Sequence, residues 1–133
     1  MSTIYNKVYE KSIAQVFNAL DALTASGLSS EYNVAGADSI SLWIKRSAHS
    51  SGSSTFTVEG TLDGTNWVVL NFLLSHVVND NTETLTRVAA VALASDTNVL
   101  VGVDIEKLPL LKVRVRVVEV TDGTHNAVLM VKF

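Results

Sequence analysis

Between residues 56 and 72 the chain reads FTVEGTLDGTNWVVLNF, two runs of alternating apolar and polar positions on either side of an Asp-Gly pair. A period of two marks a strand, and Asp63-Gly64 tolerates the positive φ that a tight hairpin turn demands. A two-residue loop sets Thr61 opposite Asn66 and Gly60 opposite Trp67; a four-residue loop sets Leu62 opposite Trp67. Either register places Phe56, Val58, Gly60 and Leu62 on one face with Trp67 and Val69. Thr57, Glu59 and Thr61 then share the other face with Val68, Leu70 and Phe72. The second strand is apolar on both sides, which predicts a sheet covered on both faces. Trp67 is expected in the core, where a glycine across the ladder leaves room for an indole.

The same period runs through most of the chain after Ser30. EYNV (31–34) reads as a short strand stopped by Gly36 and Asp38. SISLWIKR (39–46) sets Ile40, Leu42 and Ile44 on one face against Ser41, Trp43 and Lys45 on the other. SAHSSGSS (47–54) is a small polar connection. After the hairpin comes a polar break at 79–81. TETLTRVAAVAL (82–93) suits a strand in its first half and, in its second, also a buried helical turn. ASDTN (94–98) is a turn, VLVGVDI (99–105) a strand and Pro109 a break. LLKVRVRVVEV (110–120) alternates most regularly, with Val113, Val115 and Val117 against Lys112, Arg114 and Arg116. Its slip at Val117-Val118 is of the kind that a β-bulge or a change of covering produces. A second Asp-Gly turn in TDGTH (121–125) leads into a last strand, NAVLMVKF (126–133).

The start of the chain departs from this pattern. Ile13, Val16, Phe17, Leu20 and Leu23 recur at three and four, Ser12 with Gln15 fits a capping box, and Gly27 sits at a helix stop. A short helix is therefore expected over 12–25. Residues 1–11 hold no period and read as an N-terminal arm. The expected fold is mainly β: an antiparallel β-sandwich or jelly roll of about eight strands, one domain over 12–133 preceded by the arm.

Composition narrows the function classes. At 133 residues one domain is expected. The absence of cysteine removes disulfides and thiolate metal sites. A net charge of −3 gives no electrostatic pull towards nucleic acid. No signal-peptide core opens the chain, and its apolar runs fall short of the roughly 20 residues of a membrane helix. Neither nucleic acid nor membrane is an expected partner. Charged residues are only 17% of the chain, against about 25% in ordinary soluble domains, and mean hydropathy is positive. In a small domain such a deficit favours surface covered by another protein.

Candidate chemistry is sparse. His49, His76 and His125 lack the spacing of a metal pair and are expected as solvated loop histidines. No serine stands in a G-x-S-x-G elbow. An acid pair would draw on Glu59, Asp63, Asp104 and Glu106, but the turn accounts for Asp63 and an exposed strand face for Glu59. No catalytic residue, cofactor or metal site is expected. Interface candidates remain. Lys112, Arg114 and Arg116 form a basic stripe about 13 Å long. Without interleaved aromatics it suits a solvated or protein-facing surface, one that also discourages edge pairing, better than a polyanion site. Trp43 points away from the Ile40, Leu42 and Ile44 face. It suits packing under a loop or the helix, a sugar ring, or a protein contact.

The block SGSSTFTVEGTLDGTNWVVL, followed by LPLLKVRVRVVEVTDGTHNAVLMVKF, resembles the small jelly-roll proteins that decorate or cement tailed-bacteriophage heads. The resemblance covers residues 37–133 and omits the 12–25 segment. Similar "SlDG..W" hairpins occur in discoidin-like and carbohydrate-binding sandwiches and in phage tail or neck accessory proteins. It implies a non-enzymatic virion protein on the capsid exterior, made in the host cytoplasm, binding the major capsid protein, often as a homotrimer. The alternative is a carbohydrate- or receptor-binding module of a phage tail or neck. The apolar hairpin strand independently favours self-association. In the arm, Ile4, Tyr5, Val8 and Tyr9 are costly to leave in water, so Tyr5 and Tyr9 join Trp43, Lys112, Arg114 and Arg116 as interface candidates, with the arm ordered by a neighbouring subunit or the capsid.

Overall fold

The computed structural model describes residues 14–78, 82–105 and 108–133. The arm with Tyr5 and Tyr9, the polar break at 79–81, and Glu106 lie outside the described residues. Within them run twelve strands and no helix: β1 (Ala14–Leu23), β2 (Gly27–Leu28), β3 (Tyr32–Asn33), β4 (Ser39–Ser47), β5 (Ser54–Thr61), β6 (Trp67–Leu70), β7 (Phe72–Val78), β8 (Thr82–Val88), β9 (Val91–Leu93), β10 (Thr97–Val103), β11 (Lys112–Glu119) and β12 (Thr124–Lys132).

They form two antiparallel sheets. The first runs β1-β12-β4-β10-β7-β8; the second runs β2-β11-β5-β6, with β3 also on β11 and β9 also on β5. Inward side chains of the first sheet, Ile40, Leu42, Ile44, Val101, Leu129 and Val131, join Phe56, Val58, Val113, Val115 and Val117 of the second in one buried cluster. The alternation read from β4, β5, β11 and β12 is thus the alternation of a sandwich, core-side and solvent-side by turns.

The expected helix over 12–25 is instead edge strand β1, and its spacing explains the misreading. Phe17 pairs with Leu129, Leu20 with Ala127 and Leu23 with His125, with register shifts between Asn18 and Leu20 and again between Leu20 and Leu23. On β12 the inward positions are two apart; on β1 one extra residue per step makes them three apart. Two bulges thus imitate the period of a helix. Ala22, at φ 53°, lies within the second irregularity, where its amide donates to Asn126 Oδ1 at 2.9 Å.

The hairpin exists, but with a five-residue loop. Thr61 pairs with Trp67 and Gly60 with Val68. An odd loop length reverses the face parity expected for two or four residues. Asp63 sets that length: its carboxylate accepts from the Thr65 and Asn66 amides at 2.8 Å and from Asn66 Nδ2 at 2.7 Å. Gly64 holds φ 83° beside it. Leu70 therefore enters the core, while Trp67 leaves it for the outward face and is half-buried. β6 is an edge strand, and the cover expected over it is not supplied within the described residues, where Val68 and Val69 are 59% and 51% exposed.

Two smaller expectations also change. No bulge interrupts β11 at Val117-Val118, because its ladder with β5 continues in step to Glu119; Val118 is simply an apolar residue on the outward side. The alternative of a helical turn within 82–93 gives way to β8 and β9, which lie in different sheets.

Candidate functional site

The two outward sheet faces differ in chemistry. On the second sheet, β11 turns Lys112, Arg114 and Arg116 outward, as alternation requires, and β5 brings Glu59 opposite Arg114. Glu59 Oε1 accepts from Arg114 Nε at 2.7 Å, and Oε2 from Arg116 Nε at 3.0 Å. The Arg114 guanidinium lies 4.0 Å above the Trp67 ring centroid, a cation–π stack. Lys112 Nζ sits 3.6 Å from Glu31. Burial pushes the Glu59 carboxyl up, but the hydrogen bonds and charges of Arg116 and Arg114 outweigh it and leave the pKa lowered; Arg116 is raised in return. The stripe is thus a closed network that satisfies itself. It does not protect an edge either, since β11 is paired on both sides.

On the first sheet, Trp43 stands on β4 between Leu100 of β10 and Val128 of β12. One row along, Met130 pairs with Ser41 and with Val16 of edge strand β1. Leu100 is 72% exposed, Val16 59% and Met130 44%. The indole is half-buried rather than part of the core. Trp43 and the basic stripe, both interface candidates from sequence, therefore belong to opposite faces of the sandwich.

A third feature was not singled out from sequence. Arg46 is fully buried at one end of the sandwich. Nη1 donates to the carbonyls of Gly52 at 2.8 Å and Leu93 at 2.9 Å, and Nη2 to those of Ser51 at 3.0 Å and Asp122 at 2.6 Å. Beside it in register is His125, also fully buried rather than solvated. Its Nδ1 contacts the Leu23 carbonyl at 2.8 Å; a carbonyl can only accept, so Nδ1 carries hydrogen and Nε2 faces the Ser54 hydroxyl at 2.6 Å. A Ser–His contact resembles half of a nucleophilic dyad, yet Ser54 is 0% exposed and no substrate can reach it. The remaining histidines differ. His49 bonds Asp96 at the surface, and His76 sits on β7 in register with Thr84.

The carboxylates do not converge. Asp63 is held well below the usual carboxylate range by hydrogen bonds from the Asn66 and Thr65 amides, and Asp122 is lowered chiefly by the Ser50 hydroxyl. Asp104 pairs with Arg87 at 2.8 Å on the wall of an open cleft of about 690 Å³ at the other end of the sandwich, beside Asp38 and Pro109. Among the described residues no three His, Asp or Glu side chains are grouped as a metal ion would require.

No protein-family model matches the chain. No curated protein matches it in sequence. Among solved structures it is similar to the SPBc2 prophage-derived protein YomS, at a TM-score of 0.60 and 18% identity, over 90% of this chain and 92% of that one. The likeness is one of fold. It spans nearly the whole of both chains.

Proposed function

We propose that this chain is a non-enzymatic structural protein of a tailed-phage virion that binds the outside of the capsid and cements neighbouring major capsid protein subunits, as a homotrimer. The observation that carries the reading is the outward face around Trp43: a largely apolar surface on paired strands, with Val16, Leu100 and Met130 exposed. Such a face suits assembly, in which many modest contacts add up through multivalency rather than through one deep pocket. The hairpin and the β11–β12 sequence that resemble head-decoration proteins lie in this sandwich, and the prophage origin of the structural neighbour agrees with a phage setting. The trimer follows from the resemblance; the exposed Val68 and Val69 of β6 favour self-association without fixing its number.

The carbohydrate-binding alternative needs a solvent-facing tryptophan among polar neighbours. Trp43 has Leu100 and Val128 beside it, and Trp67 lies under Arg114, so neither presents a bare ring to a sugar. The test is quantitative mass spectrometry of purified virions. Stoichiometric presence on full heads is expected; absence, or a few copies confined to the tail, overturns the proposal.

A further inference from the structure

We infer that the outer face of the β1-β12-β4-β10 half of the first sheet is the docking face, and that its occupant is an apolar, uncharged surface patch on a capsid protein displayed in many copies. The inference rests on the proposed capsid-binding function and assigns it to one side of the molecule.

Two rows of outward positions across these four strands, those holding Trp43 and Met130, carry no charged side chain. Their apolar members are Val16, Leu100 and Met130, which are exposed, and Trp43 and Val128, which are half-buried. The opposite face has no comparable demand. Its cations are taken up by Glu59 and Glu31 and its indole by Arg114. A partner docking there would have to break those pairs before making its own. An uncharged partner surface fits the middle of this face, where a charge would be desolvated without a counter-charge; Lys45 and Lys132 stand in the bordering rows, at its margins.

Size decides between a second copy and a repeated partner. Four strands about 4.8 Å apart and two rows about 6.8 Å apart make a face of roughly 250 Å². Stable pairwise interfaces bury roughly 800 Å² per partner. A face this small cannot hold two free copies of the chain together. It can hold a linked oligomer on a lattice, where each further contact is intramolecular.

The test uses heads assembled without this chain and sedimented with the purified full-length protein. Three forms are compared: the wild type, L100E/M130E on the proposed face, and V118E/V120E at the end of β11 and just beyond it, on the opposite sheet. Because Leu100 and Met130 are exposed, the first variant is expected to keep the wild-type melting profile. The wild type and V118E/V120E should bind alike, and L100E/M130E should bind at least about tenfold more weakly, the loss that corresponds to a single good contact. Wild-type binding that survives in L100E/M130E overturns the assignment of this face and leaves the capsid reading standing. Absence of wild-type binding overturns both. Solution mass is measured alongside: if L100E/M130E dissociates a wild-type oligomer, the occupant is a second copy and the inference fails.

Discussion

Replacing Arg46 by methionine should destabilise the fold more than breaking any of its surface ion pairs, and the structure allows the size to be worked out. The guanidinium is fully buried and bridges four carbonyls: Ser51 and Gly52 in the loop after β4, Leu93 at the end of β9, and Asp122 in the turn before β12. A hydrogen bond from a charged donor contributes about 1.5–3 kcal/mol net. Burying the cation offsets part of that, since desolvation costs several kcal/mol per ion, and among the described residues no carboxylate lies within ion-pair distance. Only the Leu93 bond is deeply buried; the other carbonyls are part-buried and regain some water when the donor is lost. The balance is a loss of about 3–4 kcal/mol, within the range for breaking a buried polar network. For a domain of this size that lowers Tm by roughly 10–15 °C. Differential scanning calorimetry of Arg46→Met measures it, and Arg46→Lys should fall nearly as far, because an ammonium lacks the planar fork that serves both pairs of carbonyls. A Tm within about 3 °C of wild type for Arg46→Met would show that the carbonyls are satisfied without it and refute the reasoning. A rise would place Arg46 among buried charges that a hydrophobic side chain betters.

Gly123 holds φ 138°, and a Cβ there would stand 2.9 Å from Arg46 Nε and 3.2 Å from His125 Nε2; Gly123→Ala should cost about 1–3 kcal/mol by urea unfolding, and no cost would mean the turn relaxes. Glu59→Ala leaves Arg114 and Arg116 without their shared acceptor and should cost about 1–2 kcal/mol, while the double change with Arg114→Ala should cost less than the two singles together, since they share one contact. Asp63 has a folded pKa held far below its unfolded value, so its stabilisation is fully present above about pH 4 and is lost as pH falls through the folded pKa. Melting curves of wild type and Asp63→Ala should therefore lie far apart at neutral pH and draw together on acidification; a gap that stays constant would show that the carboxylate's charge plays no part.

What the sequence made legible followed from strict alternation. β4, β5, β11 and β12 sit where they are expected; on β4 and β11 the expected residues face inward, and on β5 Phe56, Val58 and Gly60 do, while Leu62 falls in the loop and is exposed. The same parity held two signals that polarity hid. Arg46 is in phase with Ile40, Leu42 and Ile44, and His125 is in phase with Ala127, Leu129 and Val131, so both were due to point inward despite being titratable. Two of the misreadings came where one extra residue enters, in a strand in one case and in a loop in the other. In β1 two bulges turned a period of two into three and produced a helical pattern, which propensity could not correct because pairing with β12 decides the backbone. In the hairpin, Asp63 captured donors from Thr65 and Asn66 and lengthened the loop by one, reversing the faces of Trp67 and Leu70. Side-chain capture of backbone donors is a local competition that hydrophobic periodicity does not report.

The charge deficit of the composition has a location in the fold. On the outward side of β5 and β11, charges are paired: one carboxylate is shared by two guanidinium groups, and one guanidinium caps an indole. Among the described residues, the two outward rows of β1, β12, β4 and β10 that hold Trp43 and Met130 carry no charge, with Leu100 and Val16 more than half exposed. Solubility alone would favour lysine or glutamate at these outward positions. Their apolar character separates the two faces in chemistry: one carries charges paired within the sheet, the other apolar side chains left in water, and on the function proposed above the second is the face that a partner covers.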